Sequence, residues 1–110
     1  MKIISLQKMT IINTTFIIDP SLRHDVLAWI KNTYIASAIH SQALEQKTIM
    51  TKILSHPEDG SECYALHLCF DSLSQATDWD TRLGEKLRKK ITERWGQQAL
   101  AFHTYMEVIE

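Results

Sequence analysis

Residues 63–96 read CYALHLCFDSLSQATDWDTRLGEKLRKKITERWG and pass from a strand pattern to a helix pattern at Asp71-Ser72. In the first eight residues, large apolar side chains alternate with smaller or polar ones, as the two faces of a β-strand require. Asp71 or Ser72 can then cap a helix, and the apolar residues that follow recur mostly every four positions. Gly96 can take the left-handed conformation that ends a helix. We therefore predict a strand and one long amphipathic helix, with a kink or break near Gly84, because glycine weakens a helix interior.

Strand and helix patterns recur on both sides of this stretch. Residues 10–18 are rich in β-branched side chains, which predicts a central strand. Asp19-Pro20 has the composition of a helix start, and we expect this first helix to end near Ile35. Residues 48–54 alternate weakly and carry lysine, as edge strands often do, and residues 99–109 alternate as a last strand.

The predicted order of elements is therefore βαββαβ, which places the chain in the α+β class. Right-handed crossovers fold this order into a ferredoxin-like, four-stranded antiparallel sheet. The expected spatial order of the strands is 4-1-3-2, with both helices on one face of the sheet.

The chain has 110 residues, of which 12 are basic and 13 are acidic, so its net charge is near −1. This balance gives no overall attraction to nucleic acid or to an anionic membrane. No apolar run approaches the ~18 residues of a membrane span, and the N-terminus lacks the apolar region of a signal peptide. We therefore expect a cytoplasmic protein, with residues 1–8 as an N-terminal extension and residues 9–110 as one domain.

Two helices can cover only one face of this sheet. The strand alternation predicts that the other face carries apolar and small side chains with a few polar ones among them. Such a face is too apolar to remain in water and too polar for an ordinary core. We therefore predict a homodimer in which a second copy, related by a two-fold axis, covers this face. The expected dimer face consists of Ile11, Thr15, Ile17, Ala65, Cys69 and Ala101.

Four polar residues are expected on the same face, where they are the best polar lining of any pocket that forms: Asn13, His67, His103 and Tyr105. The two histidines invite comparison with a metal site. Their strands are expected to lie ~9.6 Å apart, whereas metal ligands must converge at ~2.1 Å, and no third ligand accompanies them. We therefore predict no metal, and interface histidines with hydrogen-bond partners are the simpler interpretation.

Catalytic and cofactor motifs are missing from the sequence. It contains no glycine-rich phosphate loop, no GxSxG and no paired-cysteine zinc spacing. Cys63 and Cys69 would lie ~20 Å apart on one extended strand, too far for a disulfide. Neither cysteine belongs to a CxxC motif or a helix start that would activate a thiol. We therefore predict two reduced thiols, no catalytic residue and no cofactor.

A cationic run lies toward the C-terminal part of the second predicted helix, where positive charge complements the helix dipole. RNA binding is an alternative to a solvated helix face, because the RRM shares this topology. An RRM, however, places aromatic side chains on the open face of its sheet, and here Tyr64 and Phe70 fall on the other face of their strand. Nucleic-acid binding is therefore disfavoured. The run consists of Lys86, Arg88, Lys89, Lys90 and Arg94.

Several segments spread over most of the chain carry a family resemblance: MTIINTTFIID (9–19), WIK (29–31), LR (87–88), RWG (94–96) and AFHTYMEV (101–108). In these segments the sequence resembles a family of short bacterial proteins of unknown function, in the dimeric α/β-barrel, ferredoxin-like group. The resemblance implies a face-to-face sheet dimer and no established activity. Distant relatives of the same barrel include cofactor-independent monooxygenases and haem-degrading enzymes, with a cavity between the sheet and the helices.

Two functions follow from this interpretation. The first is a non-enzymatic or cryptic homodimer that binds a small ligand. The second is a small monooxygenase-like enzyme that uses Trp29, Tyr34 or His67 around a pocket between sheet and helices. In the resembling family the first helix often ends in a His-Ile-Pro-like segment, and here Tyr34-Ile35-Ala36 takes that place, which removes a histidine from the cavity. Whether the chain is an enzyme stays open, and a ligand-sized cavity lined by these residues would favour the second function.

Overall fold

The structure is a computed structural model that describes residues 8–55 and 57–109. Most of the predicted N-terminal extension, residues 1–7, lies outside this description. Within the described residues, the chain forms strands and helices in the predicted βαββαβ order. The strands are β1 (Thr10–Ile18), β2 (Ile49–Ile53), β3 (Glu62–Phe70) and β4 (Ala99–Glu107).

Each of the two long helices is continuous and contains a wider, π-helical turn in its middle. The first helix consists of a 3-10 turn (Pro20–Leu22), α1 (Arg23–Trp29), the first π segment (Ile30–Ile35) and α2 (Ala36–Ser41). The second helix consists of α3 (Leu73–Trp79), the second π segment (Asp80–Gly84) and α4 (Glu85–Trp95). No helix in the described part of the chain is both long and apolar enough to cross a membrane.

The sheet has the strand order β2-β3-β1-β4, and all neighbouring strands are antiparallel. This is the predicted 4-1-3-2 order, so the ferredoxin-like fold is confirmed. The long central strands β1 and β3 pair along their whole length, from Thr10 opposite Phe70 to Ile18 opposite Glu62. The shorter β2 and the long β4 form the two edges.

Both helix starts use the side chains that the sequence indicates. Asp19 Oδ1 accepts a hydrogen bond from the backbone N–H of Ser21 at 2.9 Å. Ser72 Oγ accepts one from the backbone N–H of Gln75 at 3.2 Å. Each bond satisfies a donor that has no partner inside the helix. At the other end of the second helix, Gly96 has φ of +60° and stops the helix as predicted.

The first helix extends to Ser41, well beyond its predicted end. Residues 36–41 contain neither glycine nor proline, and Ala38 is completely buried against the core. Packing of this side chain therefore continues the helix where the local sequence carries no strong signal of its own.

Gly84 lies inside the second π segment, and the helix continues through it without a break. Its φ is helical at −58°, so the glycine is not required by backbone conformation. Instead, a Cβ at this position would lie 2.8 Å from a ring carbon of Trp79 and would collide with the carboxylate of Asp80. The glycine therefore makes room for these two side chains.

The core lies between the helices and the sheet and is dominated by aromatic rings. Phe16 and Phe70 come from the sheet, Tyr34 and Trp79 come from the helices, and all four are at most 1% exposed. The ring of Tyr34 meets those of Phe16 and Trp79 edge to face, at centroid distances of 5.7 and 5.5 Å. Such contacts stabilise aromatic clusters by more than the burial of their apolar area alone. These rings occupy the layer in which the enzyme hypothesis expected a cavity.

The prediction for the faces of β4 is wrong. β4 pairs with β1 so that Ala101 lies opposite Phe16 and His103 opposite Thr14, which places both on the helix side. Tyr105 follows on the same side. The face without helices, which we call the open face, receives the other set of β4 side chains instead: Leu100, Phe102, Thr104 and Met106. Each of the two sets of β4 side chains contains apolar residues, so the alternation alone does not show which set packs against the helices.

Candidate functional site

The sheet separates the predicted pocket residues into two groups, so they do not line one pocket. Trp29 stands on the helix side, and its ring centroid lies 6.4 Å from that of Tyr34. His67 lies on the open face, across the sheet from both, so these three residues do not form the enzyme-like pocket expected of them. The remaining residues divide in the same way: His103 and Tyr105 are on the helix side, and Asn13 is on the open face beside His67.

A buried carboxylate joins the helix-side residues. The Asp80 side chain is 3% exposed, and its Oδ1 lies 2.7 Å from Arg88 Nη2. Asp80 Oδ2 accepts a hydrogen bond from the Tyr105 hydroxyl at 2.9 Å and lies 3.5 Å from His103 Nε2. The guanidinium of Arg88 reaches further and donates to the Tyr34 hydroxyl at 2.8 Å. We call these five residues the Asp80 cluster.

The two π segments position the Asp80 cluster. Tyr34 lies in the first π segment, Asp80 begins the second, and Arg88 follows two turns later in α4. The Tyr34 hydroxyl also lies 3.2 Å from Thr14 Oγ1 in β1. The cluster therefore ties both helices to a central and an edge strand. Single π-helical turns within α-helices are frequent at functional sites.

The surroundings of the cluster shift the pKa values of Tyr34, Arg88 and Tyr105. Burial raises the pKa of Tyr34, and burial together with the hydrogen bond to Asp80 raises the pKa of Tyr105 to about 12. Burial lowers the pKa of Arg88, but its contacts with Tyr34 and Asp80 outweigh burial and raise the value overall. At neutral pH both tyrosines are therefore neutral, and the guanidinium keeps its charge.

Asp80 and Arg88 are paired with each other, so neither of these two charged groups is free for a ligand. Of the remaining members, His103 is the most accessible, with 34% of its side chain exposed on the edge strand β4. The cluster holds the two helices and β4 in one relative position, because a buried ion pair tolerates little displacement.

Sequence reasoning found Tyr34, His103 and Tyr105 but missed Asp80 and Arg88. Their signal was present: positions 80, 84 and 88 are spaced four apart and carry Asp, Gly and Arg. On a helix this spacing puts an acid, a small residue and a base on one stripe. The stripe adjoins the buried Trp79. Charged residues on a helix are usually solvated, however, so Arg88 was interpreted as part of the exposed cationic run.

The open face is the second candidate site. Its strand residues include no aspartate, glutamate, lysine or arginine. Phe102 in β4 is 56% exposed and Ile49 in β2 is 53% exposed, at opposite edges of the sheet. At its centre the Asn13 side chain has a buried oxygen, Oδ1, with no hydrogen-bond partner in the described structure. The face also carries five of the residues predicted for the dimer interface: Ile11, Thr15, Ile17, Ala65 and Cys69.

A concave pocket of about 260 Å³ lies at one end of the open face. It spans the start of β1 and β2, the end of β3 and the residue that follows β4. We call it the end pocket. Among the described residues, no group of three or more histidine, cysteine or acidic side chains comes together as a metal site would require.

Comparison with known proteins supports the fold and gives a family. A crystal structure of a dimeric ferredoxin-like protein from an uncultured marine organism is similar to this chain, with a TM-score of 0.64 and 11% sequence identity. The alignment covers 94% of this chain and 97% of that protein. None of the curated proteins compared with the chain matches it. A family model described as a domain of unknown function (DUF4286) matches residues 9–109, and the chain belongs to that family.

Proposed function

We propose that this domain functions as a homodimer in which the open face of one copy packs against the open face of a second. The observation that carries this proposal is an exposed apolar sheet face that contains no charged strand residue. Exposed apolar patches of this extent are typical of interaction surfaces. Two-fold symmetry is the simplest arrangement, because it brings the same surface to both sides of the interface.

The lack of charge makes the open face complementary to itself. A charged side chain near a two-fold axis would meet its own copy, and like charges in contact are destabilising. Here the central positions are occupied instead by Asn13, Thr15, Ala65 and His67, which are uncharged or only weakly basic. Two such faces can therefore approach closely without repulsion.

The size of the face suits a stable dimer. β1, β3 and β4 each contain nine residues and β2 contains five, which corresponds to ~30 Å and ~17 Å along the strands, at ~4.8 Å per strand across them. The flat area of the face is therefore ~510 Å² per copy, or ~1,000 Å² for two copies, without the added area of the side chains. This reaches the ~1,000 Å² that a specific interface is expected to bury.

Two further observations support the proposal. The buried Asn13 Oδ1 has no donor within the described structure, and a facing copy can supply one. The marine ferredoxin-like protein, which shares the fold, is itself dimeric. Its low identity means that it supports the fold directly and the assembly only by analogy.

Light scattering during size-exclusion chromatography tests this proposal. We expect the wild-type protein at micromolar concentration to have twice the 12.7 kDa mass of the chain. Phe102→Glu should give a monomer, or weaken dimerisation by at least ~10-fold, because two carboxylates would enter an apolar interface. The matched control is Leu73→Glu on the second helix, where the leucine is 59% exposed and lies away from the open face.

The control variant should remain a dimer with an unchanged circular dichroism spectrum. A wild-type monomer would overturn the proposal. A dimer that Leu73→Glu disrupts and Phe102→Glu does not would also overturn it, because the interface would then lie on the helix side.

We further infer a reducing compartment, consistent with a cytoplasmic location. Cys63 and Cys69 are both free thiols and both belong to the open face. Burial raises the pKa of Cys69, which keeps it as an unreactive thiol. A dimer that covers this face would shield both sulfurs further.

A further inference from the structure

The structure assigns the end pocket to a small apolar carboxylate, bound at the rim of the proposed dimer interface. This inference rests on the proposed function, because the second copy would roof a pocket that is open in one copy alone. The pocket measures about 260 Å³. That is slightly below the ~300–1,000 Å³ of sites for drug-sized ligands, so it suits a molecule with a short chain or a single ring.

The body of the end pocket is apolar. Ile11 and Cys69 are opposite each other in the β1–β3 pair and form its floor. Met9, Ile49 and Val108 surround this floor from three further parts of the chain. Cys69 is almost completely buried, and Ile49 is more than half exposed, so the pocket has a closed inner end and an open outer side. An alkyl chain or a ring can occupy this space.

The polar part of the lining is basic or neutral. Among the described residues that line the pocket, it consists of Lys47, His67 and the amide of Gln46, and none is an aspartate or a glutamate. Lys47 and Gln46 belong to the short 3-10 turn Glu45–Lys47 that precedes β2, at the rim of the open face. A carboxylate head group at this rim would meet a cation, and its apolar body would point inward along the face.

The ammonium group of Lys47 is available for such a head group. Its hydrogen-bond partner in the described structure is Met9 Sδ, at 3.8 Å, and a thioether sulfur is a weak acceptor. Two other lysines have acidic partners: Lys52 in β2 lies 3.7 Å from a Glu62 carboxylate oxygen, and Lys8, which precedes β1, lies 4.0 Å from a Glu107 carboxylate oxygen. Lys47, in contrast, lies beside the apolar walls of the end pocket and has no acidic partner among the described residues.

Isothermal titration calorimetry of the full chain with hexanoate tests the assignment. Hexanol and hexylamine, which have the same chain length as hexanoate, serve as comparison ligands. We expect saturable binding of one hexanoate per subunit and at least ~10-fold weaker binding of the alcohol and the amine. Lys47→Gln should weaken hexanoate binding by at least ~10-fold, since it removes the charge and keeps most of the side chain. The matched control is Lys90→Gln, on the exposed side of α4, which should bind hexanoate as the wild-type protein does.

The oligomeric state of each sample, measured by light scattering, separates this inference from the proposed function. A dimer that shows no saturable hexanoate binding overturns the pocket assignment and leaves the dimer intact, as expected if side chains of the second copy fill the pocket. A monomer that binds hexanoate in a Lys47-dependent way supports the pocket and overturns the dimer. Equal binding of hexanoate and hexanol, or no effect of Lys47→Gln, overturns the assignment to a carboxylate.

Discussion

Asp80 and Arg88 have charged side chains that lie almost wholly inside the protein, at 3% and 7% exposure. Their mutual attraction at 2.7 Å opposes the cost of removing both charges from water, and the hydroxyls of Tyr34 and Tyr105 add one hydrogen bond to each charged group. Removing one charge would leave the other buried without compensation. Replacing both by apolar side chains of similar volume would cost far less, because no uncompensated charge would then remain.

We expect Asp80→Asn to lower the free energy of unfolding by ~3–5 kcal/mol, since it leaves the guanidinium of Arg88 buried without a negative partner. The double variant Asp80→Leu/Arg88→Met should recover at least half of this loss. Urea denaturation followed by circular dichroism measures both. Asp78→Asn, two residues earlier, removes the carboxylate of an exposed pair with Arg82 and should change stability by less than ~0.5 kcal/mol. Equal effects of the Asp78 and Asp80 variants would contradict the burial argument.

Gly84 gives a second prediction at the level of single residues. Gly84→Ala should destabilise the protein by ~1–3 kcal/mol, although alanine is the better helix former, because its methyl group would crowd Trp79 and Asp80. The same urea titration measures the change. Thr81→Ala, at an exposed position of the same π segment, is the control and should be neutral or slightly stabilising. A Gly84→Ala variant as stable as the wild-type protein would show that the π segment relaxes at little cost.

At the level of elements, Glu62 links the start of β3 to the first helix and to β2. Its Oε1 accepts hydrogen bonds from Arg23 Nε and the Tyr64 hydroxyl, both at 2.7 Å, and Lys52 lies nearby. The hydrogen bond from Arg23, followed by that from Tyr64, lowers the pKa of Glu62 to about 2. The ionised carboxylate is therefore favoured by folding. Its contribution to stability is complete above the ordinary glutamate value near 4.5 and is lost as the pH falls toward 2.

We therefore expect Glu62→Gln to be less stable than the wild-type protein at pH 7 and nearly as stable at pH 2.5. The difference between the two proteins should shrink mainly between pH 4.5 and 2, as followed by urea midpoints across that range. Glu58→Gln, in the exposed turn before β3, serves as the control and should match the wild-type protein throughout. A Glu62→Gln deficit that persists unchanged at pH 2.5 would mean that the glutamate acts through packing and not through its charge.

The two π segments explain why helix periodicity described the elements only approximately. Each π turn adds a residue to the helix, so the buried stripe shifts around the axis between α3 and α4. A single stripe of constant period through this helix places Trp79 at its edge, whereas Trp79 is 1% exposed in the structure. A pattern with one fixed period cannot reveal such a shift, and the contacts that stabilise it, from Asp80 to Arg88 and Tyr105, join residues that are distant in the sequence.

For the whole molecule, the fold could be predicted because each element carries its own signal. The β-branched run of β1, the caps at Asp19 and Ser72 and the stop at Gly96 determine the order of elements, and the order determines the topology. The candidate site could be predicted only in part. Which face of β4 meets the helices depends on its register with β1, and His103 was assigned to the wrong side for that reason.

The uncharged open face has a consequence for the life of the chain before assembly. Under the proposed dimer, a newly synthesised copy keeps the ring of Phe102 and the side chain of Ile49 in water until a second copy binds. The described strand residues of this face carry no charge that would repel another apolar surface, so contacts with unrelated proteins compete with dimer formation. Under the same proposal, we expect dilute preparations of the protein to lose more material to aggregation and adsorption than concentrated ones.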